Sequence, residues 1–183
     1  MKNKKFKRKT QSKNKEFIFQ EIIVNFNTRN KNIVKLYGYY QHKHYILLIL
    51  EHMDNKDLKY FMKKHKKFSE GLTAFFILQV LKALGYLRMW PILHRDIKPE
   101  NIMLNKSFTA KLGDFSLARK VEIHSKINAS RSGTLPYLSP ESVKKEASFD
   151  AFNYDKLDLF SLGVVMYILI FGKHPYNYQV FIK

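Results

Sequence analysis

The stretch from Leu157 to Phe171 constrains this chain most. Its residues are apolar on nearly every side of a helix, and Gly172 follows as a C-terminal stop. A helix with no polar face has to be enclosed by lipid or by other elements. The longest apolar run within it, Leu159 to Phe171, is shorter than the ~18 residues that suggest a membrane span. Burial at the centre of a helical layer is left. At 183 residues the chain is long enough to build such a layer around a sizeable core.

The remaining periodicities supply the other elements. Glu16 to Phe26 reads as a helix through Phe17, Ile18, Ile22, Val24 and Phe26. Ile33 to Tyr40 and His44 to Leu50 are β-rich runs separated by Gln-His-Lys, a hairpin pattern. Asp57 to Lys64 predicts a short helix. Ser69 opens a long one to about Met89, with Phe75, Phe76, Leu78, Val80, Leu81, Leu84 and Leu87 as a broad apolar face that Pro91 ends. Short strands follow at Ile92–Leu93, Ile102–Leu104 and Ala110–Leu112, and Ala118 to Ser139 reads as a loop. No internal repeat is visible. Strands first and helices later make an α+β chain with a small sheet layer and a larger helical one.

Composition narrows the function classes. No cysteine is present, which excludes a disulfide scaffold, a zinc-ribbon site and thiol catalysis, and fits the cytoplasm or nucleus. No apolar block follows the basic start, so no signal peptide is read. The formal charge is +18, and residues 1–15 hold eight basic side chains and no acid. The rest of the chain still carries a net +10, with a second knot at Lys63-Lys64-His65-Lys66-Lys67. Residues 1–15 therefore read as a solvated basic arm. A nucleic-acid partner is not expected, because no zinc-finger, RNP or basic-zipper pattern accompanies the charge.

Three polar clusters sit in the loops: His94-Arg95-Asp96-Ile97-Lys98-Pro99-Glu100-Asn101, Asp114-Phe115-Ser116, and Gly133 to Glu141. Asp96, Asn101 and Asp114 are oxygen donors, the ligand type that Mg²⁺ takes while keeping part of its water shell. A carboxylate free of metal can accept a proton from a hydroxyl. Lys98 can neutralise charge on a transferred phosphoryl group. Metal, positioning and charge stabilisation are the parts of a phosphoryl-transfer site.

These residues carry a resemblance to the eukaryotic protein kinase family, Ser/Thr type. His94 to Asn101 is similar to its catalytic loop, and Asp114-Phe115 to its metal-binding motif, with Ser116 where the family has Gly. Ser139-Pro140-Glu141 resembles its Ala-Pro-Glu signature, and Asp158 to Gly163 the start of its buried central helix. Glu21 lies eleven residues before Asn32-Ile33-Val34-Lys35-Leu36-Tyr37-Gly38, the family's spacing between its helix glutamate and the next strand. Lys98 and Gly133 to Tyr137 resemble the Ser/Thr rather than the tyrosine group. Leu36 to Tyr40 and Gly172 to Pro175 resemble Aurora-like and calmodulin-dependent kinases.

The resemblance implies ATP and Mg²⁺ as cofactors and Ser/Thr hydroxyls of proteins as substrates. It implies Asp96 as base, Lys98 at the γ-phosphate, and Asn101 and Asp114 as Mg²⁺ ligands. Leu50 is the expected gatekeeper. Glu51 to Met53 offer backbone groups to adenine, Asp57 lies near the ribose, Met103 and Leu104 lie at the adenine floor, and Glu100 sits in the same site with a bias toward basic substrates. Thr134 braces Asp96 and Lys98. Glu21 takes the ion pair with a lysine. Arg95 pairs a phosphorylated Ser130, with Ser132 as runner-up, and Glu141 pairs an arginine of a later helix. Phe115, His94, Leu36 and Asp158 are similar to the family's stacked spine.

A two-lobed fold follows from the resemblance: a partial N-lobe over residues 16–53, with one helix and two or more antiparallel strands, and an incomplete helical C-lobe over 54–183. No Gly-x-Gly-x-x-Gly loop precedes it. Lys2 lies nineteen residues before Glu21, and Met1-Lys2 resembles the tail of an Ala-Met-Lys. The expectation is therefore a kinase domain truncated at both ends, residues 1–15 being a basic arm or the remnant of its N-lobe. A catalytically impaired, kinase-like binding or scaffold protein is the alternative.

Overall fold

The structure is a computed structural model that describes residues 6–9, 15–43, 45–122, 126–128, 132–143, 148–150 and 153–177. Its first part is a three-stranded antiparallel sheet covered by one helix. Strands β2 (Leu36–Gln41) and β3 (Tyr45–Leu50) form the expected hairpin, Leu36 opposite Leu50 and Gln41 opposite Ile46. The register shifts between Leu36 and Gly38. Strand β1 (Phe6–Lys9) pairs with the other side of β3, Phe6 opposite Leu48, so the sheet order is β1-β3-β2. Those four residues are an edge strand, not part of a solvated arm. Helix α1 (Lys15–Asn27) lies on the sheet through Ile18 and Ile22, one turn apart, which are buried with Leu36 and Ile46.

The second part is helical. Asp57 starts α2 (Leu58–His65), its Oδ1 accepting from Tyr60 N at 2.8 Å. Ser69 starts α3 (Glu70–Met89), its Oγ accepting from Leu72 N at 3.3 Å. Helix α5 (Asp155–Phe171) ends at Gly172, whose φ is +71° and whose N–H donates to Ile168 O. The left-handed φ favours glycine, and a Cβ there would lie a tight 3.1 Å from Lys66 O. Val80, Leu84 and Leu87 of α3 pack with Leu162, Val165 and Leu169 of α5 in the main core, which also takes in Leu58, Ile102, Leu104 and Leu112.

Short two-stranded ribbons connect these helices: β4 (Ile92–Leu93) with β7 (Arg119–Lys120), β5 (Ile102–Leu104) with β6 (Ala110–Leu112), and β8 (Lys126–Asn128) with β9 (Ser148–Asp150). The β5–β6 ribbon joins the two parts of the chain. Val34 N–H donates to Leu112 O at 2.9 Å, Leu112 N–H donates to Asn32 O at 2.8 Å, and Asp57 bridges Met103.

Four expectations need correction. The stretch 118–139 is not all loop: it contributes β7, β8 and a 3-10 turn at Leu135–Tyr137. The apolar face of α3 is wider than its buried stripe, so Phe75, Leu78 and Leu81 are exposed. Helix α5 begins at Asp155 and is covered on one side only, leaving Leu159, Met166 and Phe171 exposed. By length and composition α3 could cross a membrane, which an uninterrupted-run test overlooks; Thr73, Phe76, Ile77 and Ala83 are nonetheless buried in the core.

Candidate active site

The 92–101 segment leaves α3 and places its polar residues on a fixed backbone. Asp158, fully buried in α5, accepts His94 N–H on Oδ2 at 2.7 Å and Arg95 N–H on Oδ1 at 2.9 Å. Burial pushes its carboxyl upward, against the pull of His94 and Arg95. Asp96 N–H donates to His94 Nδ1 at 3.3 Å, so the ring proton sits on Nε2 and points to the Gly113 carbonyl, 3.1 Å away. The His94 ring also meets the Phe115 ring edge-on at 4.9 Å. His94 is thus a packed, fully satisfied link between the 92–101 segment and the 113–116 segment. Arg95 holds φ at +67° and donates from Nε to Leu117 O at 2.6 Å. Burial and the neighbouring Arg119 lower its affinity for its proton.

The Asp96 carboxylate is the centre of the site. Lys98 Nζ lies 2.6 Å from Oδ2, Thr134 Oγ1 donates to Oδ1 at 2.7 Å, and Asn101 Nδ2 donates to Oδ2 at 2.9 Å and to the Asp96 carbonyl at 2.8 Å. Lys98 also donates to Thr134 Oγ1 at 2.8 Å, closing a triangle. Burial works to raise the Asp96 carboxyl, but the Lys98 and Thr134 hydrogen bonds outweigh it and hold it below the usual carboxylate range. Thr134 gets there because Gly133 precedes it. Gly133 has φ +127°, and a Cβ on it would sit 2.4 Å from Arg95 O.

Gly113 N–H donates to Asn101 O at 2.9 Å, which sets Asp114 beside this cluster. Asp114 has φ +60° and accepts the Ser116 hydroxyl on Oδ1 at 2.7 Å. It also lines a cleft of about 400 Å³ between the sheet and the β5–β6 ribbon. Leu50, Glu51, Met53, Asp57, Met103 and Glu21 line the same cleft. Ile18, Val34, Ile46 and Leu48 line it too; strand alternation was the signal for the last two. At this junction Glu51 N–H is taken by Lys35 O at 2.8 Å, and the Glu51 carboxylate pairs with Lys111 at 2.7 Å.

The description "Protein kinase domain" matches residues 1–181. The chain belongs to the protein kinase family. An Aurora kinase of Schizosaccharomyces pombe is 38% identical over 167 residues, covering 91% of this chain and 45% of that protein. The serine/threonine-protein kinase polo of Drosophila melanogaster is 32% identical over 164 residues, covering 89% and 27%. The 3-phosphoinositide-dependent protein kinase B of Dictyostelium discoideum is 39% identical over 162 residues, covering 84% and 17%. The chain spans under half the length of each of these relatives. The Aurora-like, Ser/Thr character of Leu36 to Tyr40 and Gly133 to Tyr137 agrees with them.

The other expected residues have the following surroundings. Asp57 is in the cleft wall, yet its Oδ1 is committed to capping α2. Glu100 is outside the cleft lining and bonds the Lys59 ammonium of α2. Leu104 is buried beneath the cleft in the main core. Leu36 packs with Ile18 and Ile22, in a different cluster from Phe115. Glu141 is on the exposed surface of α4 (Pro140–Val143). Ser130 and Lys2 fall outside the described residues, whereas Ser132 is among them. Two contacts escaped the sequence: Ser161 Oγ donates to Tyr137 O at 2.7 Å, tying α5 to the 3-10 turn, and Ser116 reaches Asp114.

Proposed function

We propose that this chain, with 16–53 and 54–183 acting as two lobes, is the catalytic part of an ATP- and Mg²⁺-dependent protein serine/threonine kinase. The observation that carries the reading is the Asp96 carboxylate, held ionised by Lys98 and Thr134 and also bonded by Asn101, beside a nucleotide-sized cleft. Adenine lies against Leu50 and Met103, meeting the Glu51 carbonyl and the Met53 amide. Glu51 is limited to its carbonyl, since its N–H is already bonded. The ribose lies toward Asp57.

The donors fit Mg²⁺. One carboxylate and one amide oxygen, with phosphate and water, is the set that ion takes, and the described residues hold no cluster of three or more His, Asp or Glu that would form an all-protein cage. Asn101 and Asp114 would hold it, and the chemistry it would supply there is neutralisation of nucleotide phosphate charge. In the transfer the substrate hydroxyl oxygen bonds to the γ-phosphorus, its proton passes to Asp96, and the bond to the β-phosphate oxygen breaks to release ADP. Lys98 meets the charge on the γ-phosphate while Thr134 keeps Asp96 and Lys98 in register. Arg95, with Arg119 nearby, takes a phosphorylated residue of the 118–139 stretch, Ser130 first. An intracellular setting, cytoplasm or nucleus, belongs to the same reading.

Asp96→Asn in the full chain tests it. Transfer of γ-phosphate to a Ser/Thr protein substrate should fall by roughly 10²–10⁴-fold, while ATP binding stays. Equal rates in the two proteins would overturn the assignment of the base.

A further inference from the structure

Ser116 occupies the position at which the family has glycine, yet its backbone has no need of one. It is not among the residues with positive φ, and it sits in a turn closed by Ala118 N–H on Phe115 O at 3.0 Å. What serine adds is a hydroxyl. That hydroxyl donates to Asp114 Oδ1 at 2.7 Å, whereas the Ser116 N–H reaches the same oxygen only at 3.4 Å. The short bond is therefore the one glycine cannot make. Its acceptor is a half-exposed carboxylate in the cleft wall, on a residue at φ +60°, a backbone region that L residues seldom adopt. A half-exposed carboxylate rotates freely unless something fixes it. A charge-assisted O–H···O⁻ bond does so strongly and gives a rotamer set before any ligand arrives.

We propose that Ser116 is a positioning residue for the Mg²⁺–nucleotide complex, its hydroxyl holding the Asp114 carboxylate in the orientation that binds the cation. This rests on the kinase reading above. The hydroxyl touches neither substrate nor cofactor and acts through Asp114 alone. It should therefore govern how much Mg²⁺ strengthens ATP binding and leave metal-free ATP binding untouched.

Calorimetric titration of ATP into the full chain, once with excess Mg²⁺ and once with EDTA, tests this. For the unsubstituted protein Mg²⁺ should tighten ATP binding. In Ser116→Ala that gain should shrink roughly tenfold with the EDTA affinity unchanged. Ser116→Thr keeps the hydroxyl and should restore the gain to within about twofold. Melting curves confirm that both variants are folded. If the unsubstituted chain gains nothing from Mg²⁺, the kinase reading falls and this inference with it. If it gains, and Ser116→Ala gains equally, only the role of Ser116 is overturned. A loss in Ala that Thr does not repair also overturns it, by assigning the effect to the backbone.

Discussion

Asp96 is where local sequence and distant contacts meet. Two of its partners, Lys98 and Asn101, lie within five residues and were legible as one motif. Its third, Thr134, is 38 residues away, and only the likeness to a known loop pointed to it. The Lys59–Glu100 and Lys111–Glu51 pairs, 41 and 60 residues apart, had no such signal, because the sequence shows which side chains carry charge and not which ones meet. The Asp96 network has a consequence for pH. Its folded carboxyl lies below the ordinary value, so Asp96 adds stability above that value and loses it as pH falls through the folded one. Lys98→Met removes the first-named of the two hydrogen bonds that overcome burial. The variant should be less stable than the parent at pH 7, by about 1–3 kcal/mol for a hydrogen bond to a charged group. The gap should narrow at an acidic pH below the folded carboxyl's own value, where the parent loses the same contribution. Urea unfolding at the two pH values measures both, and a gap independent of pH would mean that Lys98 does not act through the carboxylate.

Elements were more legible in kind than in burial. Strand β3 and helices α2, α3 and α5 all stand within two residues of their expected bounds, and β2 starts three residues late, because caps and periodicity are local. Which apolar residues are covered is a property of the neighbours, and α5 shows the difference. Leu169 has no exposed surface, whereas Met166, one turn back, is 44% exposed. Strand β1 failed for the same reason. Phe6-Lys7-Arg8-Lys9 carries one apolar residue, and its pairing is decided by β3 nearly forty residues on. The expected outcome for α5 is a contrast: Leu169→Ala should cost about 2–5 kcal/mol, as core truncations do. Met166→Ala should cost under about 1 kcal/mol. Similar losses in thermal melts of the two would show that α5 is enclosed on all sides, as its sequence suggested.

At the scale of the whole molecule, the charge and the cleft pull in different directions. A net +18 repels itself, and an anionic nucleotide in the cleft offsets part of that repulsion. The cleft also draws its walls from both parts of the chain: Ile18, Val34 and Ile46 from the sheet side, Met103 and Asp114 from the helical side. These walls belong to separate hydrophobic clusters, Ile18 and Ile46 to the sheet cluster and the ribbon under Met103 to the main core. A ligand there adds a further tie between two units that already share Val24 and Ile33 in the main core, the Lys111–Glu51 pair and backbone bonds such as Val34 to Leu112. Saturation at a hundred times Kd adds about 2.7 kcal/mol of stability by mass action. For a chain of this size that is a rise in Tm of roughly 5–10 °C with Mg²⁺–ATP. Asp114→Asn, which weakens the hold on the cation, should keep the rise seen with ATP in EDTA and lose most of the extra rise that Mg²⁺ brings. If the two units melt in separate transitions and ATP shifts only one of them, the cleft does not join them. A single transition that moves as a whole is the expected result.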